Sequence, residues 1–287
     1  MASSSPDGRG RPSLHWAGFL VWVALIAYTS TRSVSAQTSF YLGFDRNDYP
    51  GDQNLSALRQ TFSFVGYWLN NPPGGMANSW VGKRRTLESV GFGFLVLFNG
   101  RLDAELKSVT KARSLGTADG QLASTEARNE GFPLRTVIFL DQEEGGRMLP
   151  EQKAYIYAWV DAVAASGFRA GIYCSGIGAK DDENVVTAED IRKNSGGRSI
   201  FYFVSNDQCS PSPGCAFPKS APSPSQSGVS FADVWQFAQS PRRPEYTASC
   251  SATYSSDTNC YPPGVTEKLH IDIDTATSSD PSRGRTH

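Results

Sequence analysis

The segment Thr136-Val-Ile-Phe-Leu-Asp141-Gln-Glu143-Glu144-Gly-Gly146 runs from apolar, β-branched residues straight into acids and then glycine. Residues two apart on a strand share a face, so Asp141 and Glu143 point the same way with Cα atoms about 6.5–7 Å apart. Two carboxyls aimed into one pocket are the minimum equipment for breaking a glycosidic bond: one protonates the leaving oxygen, the other supports the developing cation or activates the attacking group. The simpler alternative is a solvated strand end whose acids cap the following helix.

Two further strands carry acids. The first ends in Gly43-Phe44-Asp45, and the last carries Asp272 and Asp274 on one face with Ile271 and Ile273 on the other. In an eight-stranded β/α barrel the catalytic groups gather at the strand ends, and the first and last strands become neighbours on closure. Acids from strands one, four and eight then converge on one mouth.

The elements that must position them alternate along the chain. Strands are expected at 40–45, 62–69, 92–99, 136–141, 170–175, 200–206, 233–238 and 269–275. Helices are expected at 54–61, from a Ser79 cap to 89, at 117–129, at 150–166 and from a Thr187 cap to 194. Strand–helix repetition implies a parallel sheet with crossover helices. The reading is α/β: a TIM-like (β/α) barrel with five β/α units followed by three helix-poor strands.

Three segments complete the division of the chain. Residues 1–36 place Arg9 and Arg11 ahead of the apolar run Ala17–Tyr28 and a Val34-Ser35-Ala36 cleavage signature, so a secretory signal peptide is expected, with a retained anchor as the alternative. The barrel domain is expected over 37–278, close to the ~250 residues usual for such barrels. Residues 279–287 are expected to be a disordered tail.

Export agrees with the cysteines. Cys209 with Cys215, and Cys250 with Cys260, form two close pairs in Pro/Ser/Gly-rich stretches and are expected to be local disulfides; zinc competes poorly at these spacings. Cys174, within an apolar strand, is expected to be an inert buried thiol. The net charge of −1 does not suggest a nucleic-acid partner. Of three histidines only His270 is placed to serve chemistry, so a His270 hydrolase with Asp272 or Asp274 is a minor alternative. The phosphate-loop, HExxH and Gly-x-Ser-x-Gly patterns do not occur, and Gly91-Phe92-Gly93 stands in the wrong order for a dinucleotide site. Carboxylates must carry any catalysis, with no metal or organic cofactor called for.

The ordered set Gly43-Phe44-Asp45, Asp141-Gln142-Glu143, Gly171-Ile172-Tyr173-Cys174-Ser175, Val234-Trp235-Gln236-Phe237 and Ile271-Asp272-Ile273-Asp274 resembles the lysozymes of glycoside hydrolase family 25. It resembles still more the glycoside-hydrolase-like barrel known as domain of unknown function 1906. The resemblance spans nearly the whole chain after residue 36 and implies a barrel of the shape counted above.

Carried over by that resemblance, Glu143 is the general acid. Asp141 positions it or stabilises an oxocarbenium-like transition state and a substrate acetamido intermediate. Asp45, Asp272, Asp274 and Gln236 line the sugar-binding cleft. Tyr173, Trp235, Tyr67 and Trp68 are candidate stacking platforms, core packing being the alternative for the last two.

Departures are an aspartate, Asp274, where those lysozymes carry asparagine, and an added Glu144 with Gly145-Gly146 after the paired acids. Either Asp272 or Asp274 can face the site. The function implied is a secreted glycosidase, monomeric and not inserted in a membrane, acting on a peptidoglycan-type polysaccharide. A glycan-binding envelope protein that keeps the barrel with little turnover is the alternative.

Overall fold

The computed structural model describes residues 39–74, 77–180, 182–207, 220–240, 269 and 271–286. Residues 1–38, with the expected signal peptide, and His270 lie outside the described residues. So do Cys209, Cys215, Cys250 and Cys260, and with them both expected disulfides, Cys209 to Cys215 and Cys250 to Cys260. Among the described residues the cysteine is Cys174, a buried free thiol as expected.

From Tyr41 the chain alternates strand and helix: β1 (Tyr41–Asp45), α1 (Leu55–Thr61), β2 (Phe64–Trp68), α2 (Arg84–Val90), β3 (Gly93–Asn99), α3 (Asp103–Leu106), α4 (Val109–Asn129), β4 (Val137–Asp141), α5 (Pro150–Ala165) and β5 (Arg169–Ser175). A two-residue hairpin, β6 (Gly178–Ala179) and β7 (Val185–Val186), leads to α6 (Thr187–Lys193) and β8 (Ile200–Ser205). Two further strands complete the wall, β9 (Val234–Ser240) and β10 (Ile271–Ala276).

Eight of these strands close a barrel in the order β1-β10-β9-β8-β5-β4-β3-β2. All eight expected strands are present and the TIM-like α/β architecture is the one observed, with no α-helix after β8 among the described residues. The sheet is not uniformly parallel, however. β10 runs antiparallel to both β1 and β9. Its acids therefore reach the mouth at the strand's beginning, with Asp272 opposite Asp45 and Asp274 one layer deeper, opposite Gly43.

The apolar runs fill two compartments. Inside the barrel, Phe139 and Phe203 meet edge-on at 6.2 Å, and Tyr173 and Phe203 lie tilted to each other at 4.7 Å. Outside it, Phe44 packs on Phe62 and Phe92 under the first helices. Gly66 lies inside at the level of Asp45, where a Cβ would collide with the aspartate's own Cβ. The missing side chain there makes room for the acid.

Helix starts depart from expectation where side chains suggest caps. Ser108 caps α4 by accepting from the Lys111 N–H at 3.3 Å, so the helix begins about two turns before the expected start at Thr117. Ser79 accepts from the Tyr49 N–H instead of capping α2, and Thr187 is the first residue of α6, its hydroxyl bonded to Gly146.

The stretch after 277, expected to be a disordered tail from 279, is built into the barrel. The Ser282 N–H donates to the Phe94 carbonyl and its own carbonyl accepts from the Val137 N–H, so it joins the beginnings of β3 and β4. Its hydroxyl accepts from the Val96 N–H, and Asp280 accepts from the Phe94 N–H, each at 2.8 Å. Ser282 is fully buried.

Candidate active site

The strand ends carry the acids into one hollow of about 540 Å³, lined by Asp45, Trp68, Asp141, Glu143, Tyr173, Gln236 and Asp272 among others. A second hollow of about 600 Å³ adjoins it over Asn99, Arg101 and Glu105, sharing Pro73, Asp141 and Glu143. The paired acids thus stand on the ridge between two lobes of a single cleft.

β4 ends at Asp141, which the barrel wall buries to 6% exposure; Glu143, past the strand end, is exposed. Among the described residues, Asp141 Oδ1 is buried with no hydrogen-bond partner, and Glu143 enters no ion pair. Burial pushes the Asp141 carboxyl well above the usual carboxylate range, and the charges of Glu143 and Asp45 push it further. One member of the pair is therefore a desolvated acid aimed into the cleft, and the other is free to meet solvent or ligand.

The loop that holds Glu143 is fastened on its far side. Glu144 turns away from the cleft and accepts from the Asp103 N–H and from Gln152 Nε2, both at 2.8 Å. Gly146 is tied to Thr187, the Arg147 N–H to Asp182, and the Met148 N–H to Asp190. Glu144, the extra acid, is thus a loop anchor.

From Tyr173, beside Asp141 on the neighbouring strand, four side chains are linked. The Tyr173 hydroxyl donates to Gln236 Oε1 at 2.9 Å, and Gln236 Nε2 donates to Asp45 at 3.1 Å and to Asp272 at 3.2 Å. The glutamine spends both amide protons holding two carboxyls apart in one wall. Burial pushes Asp45 up to about 6, with the Gln236 hydrogen bond opposing the rise. Asp272 is raised by burial and then by the charges of Asp45, Asp207 and Glu143. Asp274 is fully buried, with neither oxygen in hydrogen-bond geometry, and is raised by burial and by Asp45 and Asp272. Asp272 is therefore the aspartate that faces the cleft, and Asp274 lies beneath it.

The aromatic candidates divide by strand parity. Tyr173 and Trp68 line the cleft, with Trp68 Nε1 donating to the Arg46 carbonyl at 3.0 Å. Tyr67 and Trp235 do not. Tyr67 faces outward into the packing of Trp80, Phe94 and Phe132, its hydroxyl on Glu130. Trp235 is 3% exposed, bonds the Asn206 carbonyl and packs on Phe237. Both serve the core, since neighbours of an inward residue on a strand must point out. Asn47 and Phe203, which also line the hollow, carry no sequence signal as site residues.

Residues 60–195 match the family described as the Rv2525c-like, glycoside hydrolase-like domain. No curated protein matches the chain. Among solved structures, an uncharacterized B. stearothermophilus protein is 17% identical with a TM-score of 0.51, the match covering 82% of this chain and 95% of that one, and shows the same fold. The Mycobacterium tuberculosis Tat-secreted protein Rv2525c is 10% identical over 86% of this chain and 98% of its own, with a TM-score of 0.49. The bacterial lysozyme of Streptomyces coelicolor is 16% identical over 82% and 90%, with a TM-score of 0.44.

Proposed function

We propose that this chain, which carries an Rv2525c-like, glycoside hydrolase-like domain over residues 60–195, is a secreted glycosidase acting on a cell-wall-type glycan, peptidoglycan first. The observation that carries the reading is the pairing of exposed Glu143 with buried, partnerless Asp141 on the ridge of a two-lobed cleft.

Glu143 is the group able to reach a bound sugar chain from the solvent side, and it serves as the acid that protonates the leaving oxygen. Asp141 has an unspent oxygen below it. Ionised, that oxygen stabilises the positive charge that develops on the sugar; protonated, it donates a hydrogen bond to an acetamido carbonyl. Both roles gain from the desolvation that raises its pKa, because a charge or dipole acts more strongly in a dry site. Asp45 and Asp272, held by Gln236, offer acceptors for sugar hydroxyls, and Trp68 and Tyr173 offer apolar faces for the ring.

The test is reducing-end release from purified peptidoglycan and from chitin-type oligomers by the parent protein and by Glu143→Gln. Release by the parent that disappears in the variant supports a carboxylate glycosidase with Glu143 as its acid. A folded, monodisperse parent that releases nothing from either glycan, yet retains oligosaccharide, supports the glycan-binding alternative instead.

A further inference from the structure

Three arginines cluster at the end of the barrel away from the acid-lined cleft. Arg135 lies two residues before β4, Arg169 opens β5, and Arg283 follows β10, whose antiparallel course brings its last residue, Ala276, beside Tyr41 at the start of β1. The three arginines close around Thr136. Its carbonyl accepts from the Arg169 N–H at 3.0 Å, its hydroxyl lies 3.3 Å from the Arg283 carbonyl, and Arg135 is its chain neighbour.

No ion pair involves any of the three among the described residues. Two acids stand nearby without an ion pair to the cluster: Asp233 accepts from the Tyr202 N–H and feels the charge of Arg283, and Asp280 accepts from the N–H groups of Phe94, Gly284 and Arg285. Two of the arginines hold backbone angles that L-residues seldom adopt, with φ of 69° at Arg135 and 56° at Arg283. Left-handed backbone at a non-glycine residue is unfavourable and persists where surrounding structure imposes it. The mutual repulsion is felt within the cluster, for Arg169 is lowered by burial and then by Arg135 and Arg283.

Beside them Leu134 is 62% exposed, and Arg169 stacks over the Phe201 ring at 5.8 Å. Guanidiniums outside any ion pair, beside an exposed aliphatic side chain, match the chemistry of an anionic lipid surface: phosphates for the forks, acyl-chain boundary for the leucine. The chain also enters β1 at this end, and in the sequence the apolar run Ala17–Tyr28 lies only a short distance before it. We propose that the Arg135–Arg169–Arg283 face docks on an anionic phospholipid surface, leaving the acid-lined cleft turned away from it toward the glycan.

The test is co-sedimentation of the full chain with vesicles of phosphatidylglycerol in phosphatidylcholine and with vesicles of phosphatidylcholine alone. The neutral vesicles account for any partitioning by the apolar N-terminal run. The parent should favour the anionic vesicles, and added salt should erase the difference. The R135Q/R169Q/R283Q variant should lose about 100-fold of that preference, since each basic residue at an anionic surface contributes about fivefold. The R135K/R169K/R283K variant should keep most of it. Equal binding to both vesicle types overturns the proposal, as does an undiminished preference in the glutamine variant with parental circular dichroism. Retention of soluble polyphosphate through the same arginines, without a vesicle preference, overturns it in favour of a soluble polyanion.

Discussion

Asp45 and Asp272 face each other across the seam where the first and last barrel strands join, and Gln236 Nε2 lies 3.1 Å from one and 3.2 Å from the other. Two carboxyls so placed repel, and the amide is the neutral donor that lets both stay. Gln236→Leu removes both hydrogen bonds and leaves the Tyr173 hydroxyl without its acceptor. Each buried group left unsatisfied costs about 1–3 kcal/mol. A fall in unfolding free energy of that order is expected, read by urea titration, together with weaker oligosaccharide binding. Gln236→Glu should be worse at neutral pH than at acid pH, because it adds a third acid to the wall.

The acid cluster also sets a sign for stability against pH. Asp45 rises from 3.8 to about 6, and Asp141, Asp272 and Asp274 rise in the same direction. A raised pKa means that the folded state holds more protons than the unfolded chain, so this contribution is complete below 3.8 and fades as pH climbs through about 6 and beyond. The unfolding midpoint should therefore increase as pH is lowered from neutral toward that window. Asp274→Asn should flatten the profile and raise the midpoint at neutral pH, since it removes an ionisation in a fully buried place. A parent whose midpoint falls on mild acidification would contradict the reading.

The paired acids on the ridge should separate activity from folding. Glu143 is exposed, so Glu143→Gln should leave stability within about 0.5 kcal/mol. It should lower glycan release by about 10²–10⁴-fold, the usual contribution of a positioned acid. Asp141→Asn should lower release by about 10²–10³-fold, as loss of a charge-stabilising group does. It should not destabilise the fold at neutral pH, where the parent holds a desolvated carboxyl.

Much of this is legible in the residues. Each apolar run ending in an acid or a turn becomes a barrel strand, and Asp45, Asp141, Glu143, Tyr173, Gln236 and Asp272 meet at one cleft. What escapes has physical reasons. Alternation along Ile271-Asp272-Ile273-Asp274 defines two faces but not a direction, so the antiparallel course of β10 is hidden, and with it the depth of Asp274. Tyr67 and Trp68 are neighbours of similar character, and only the pairing of β2 with its neighbours decides which of them points inward. Trp235 sits beside Gln236 in the same ambiguity, and the residue of use to the cleft is the polar one.

Tyr67 and Trp68 give a direct contrast. Trp68→Ala should weaken oligosaccharide binding by removing a face of the cleft, which intrinsic fluorescence titration can follow. Tyr67→Phe should leave binding alone but lose its hydrogen bond to Glu130, at a cost of about 1 kcal/mol in stability. The reverse pattern would return Tyr67 to the site.

The segment after Thr277 has the composition of a tail, since Ser, Asp, Pro, Gly and Arg dominate it and bury little apolar surface by themselves. Its order comes instead from what the barrel lacks. The beginnings of β3 and β4 leave the N–H groups of Phe94, Val96 and Val137 unpaired, and Asp280 and Ser282 supply all three acceptors. Removing residues 278–287 should therefore destabilise the whole barrel, by about 1–3 kcal/mol for each N–H left dry. Asp280→Ala alone should show part of the loss, since the same carboxylate also accepts from Gly284 and Arg285. Hydrogen exchange at the amides of Phe94, Val96 and Val137 is the local readout. Protection that persists after truncation would mean that water or neighbouring strands satisfy these groups without the tail.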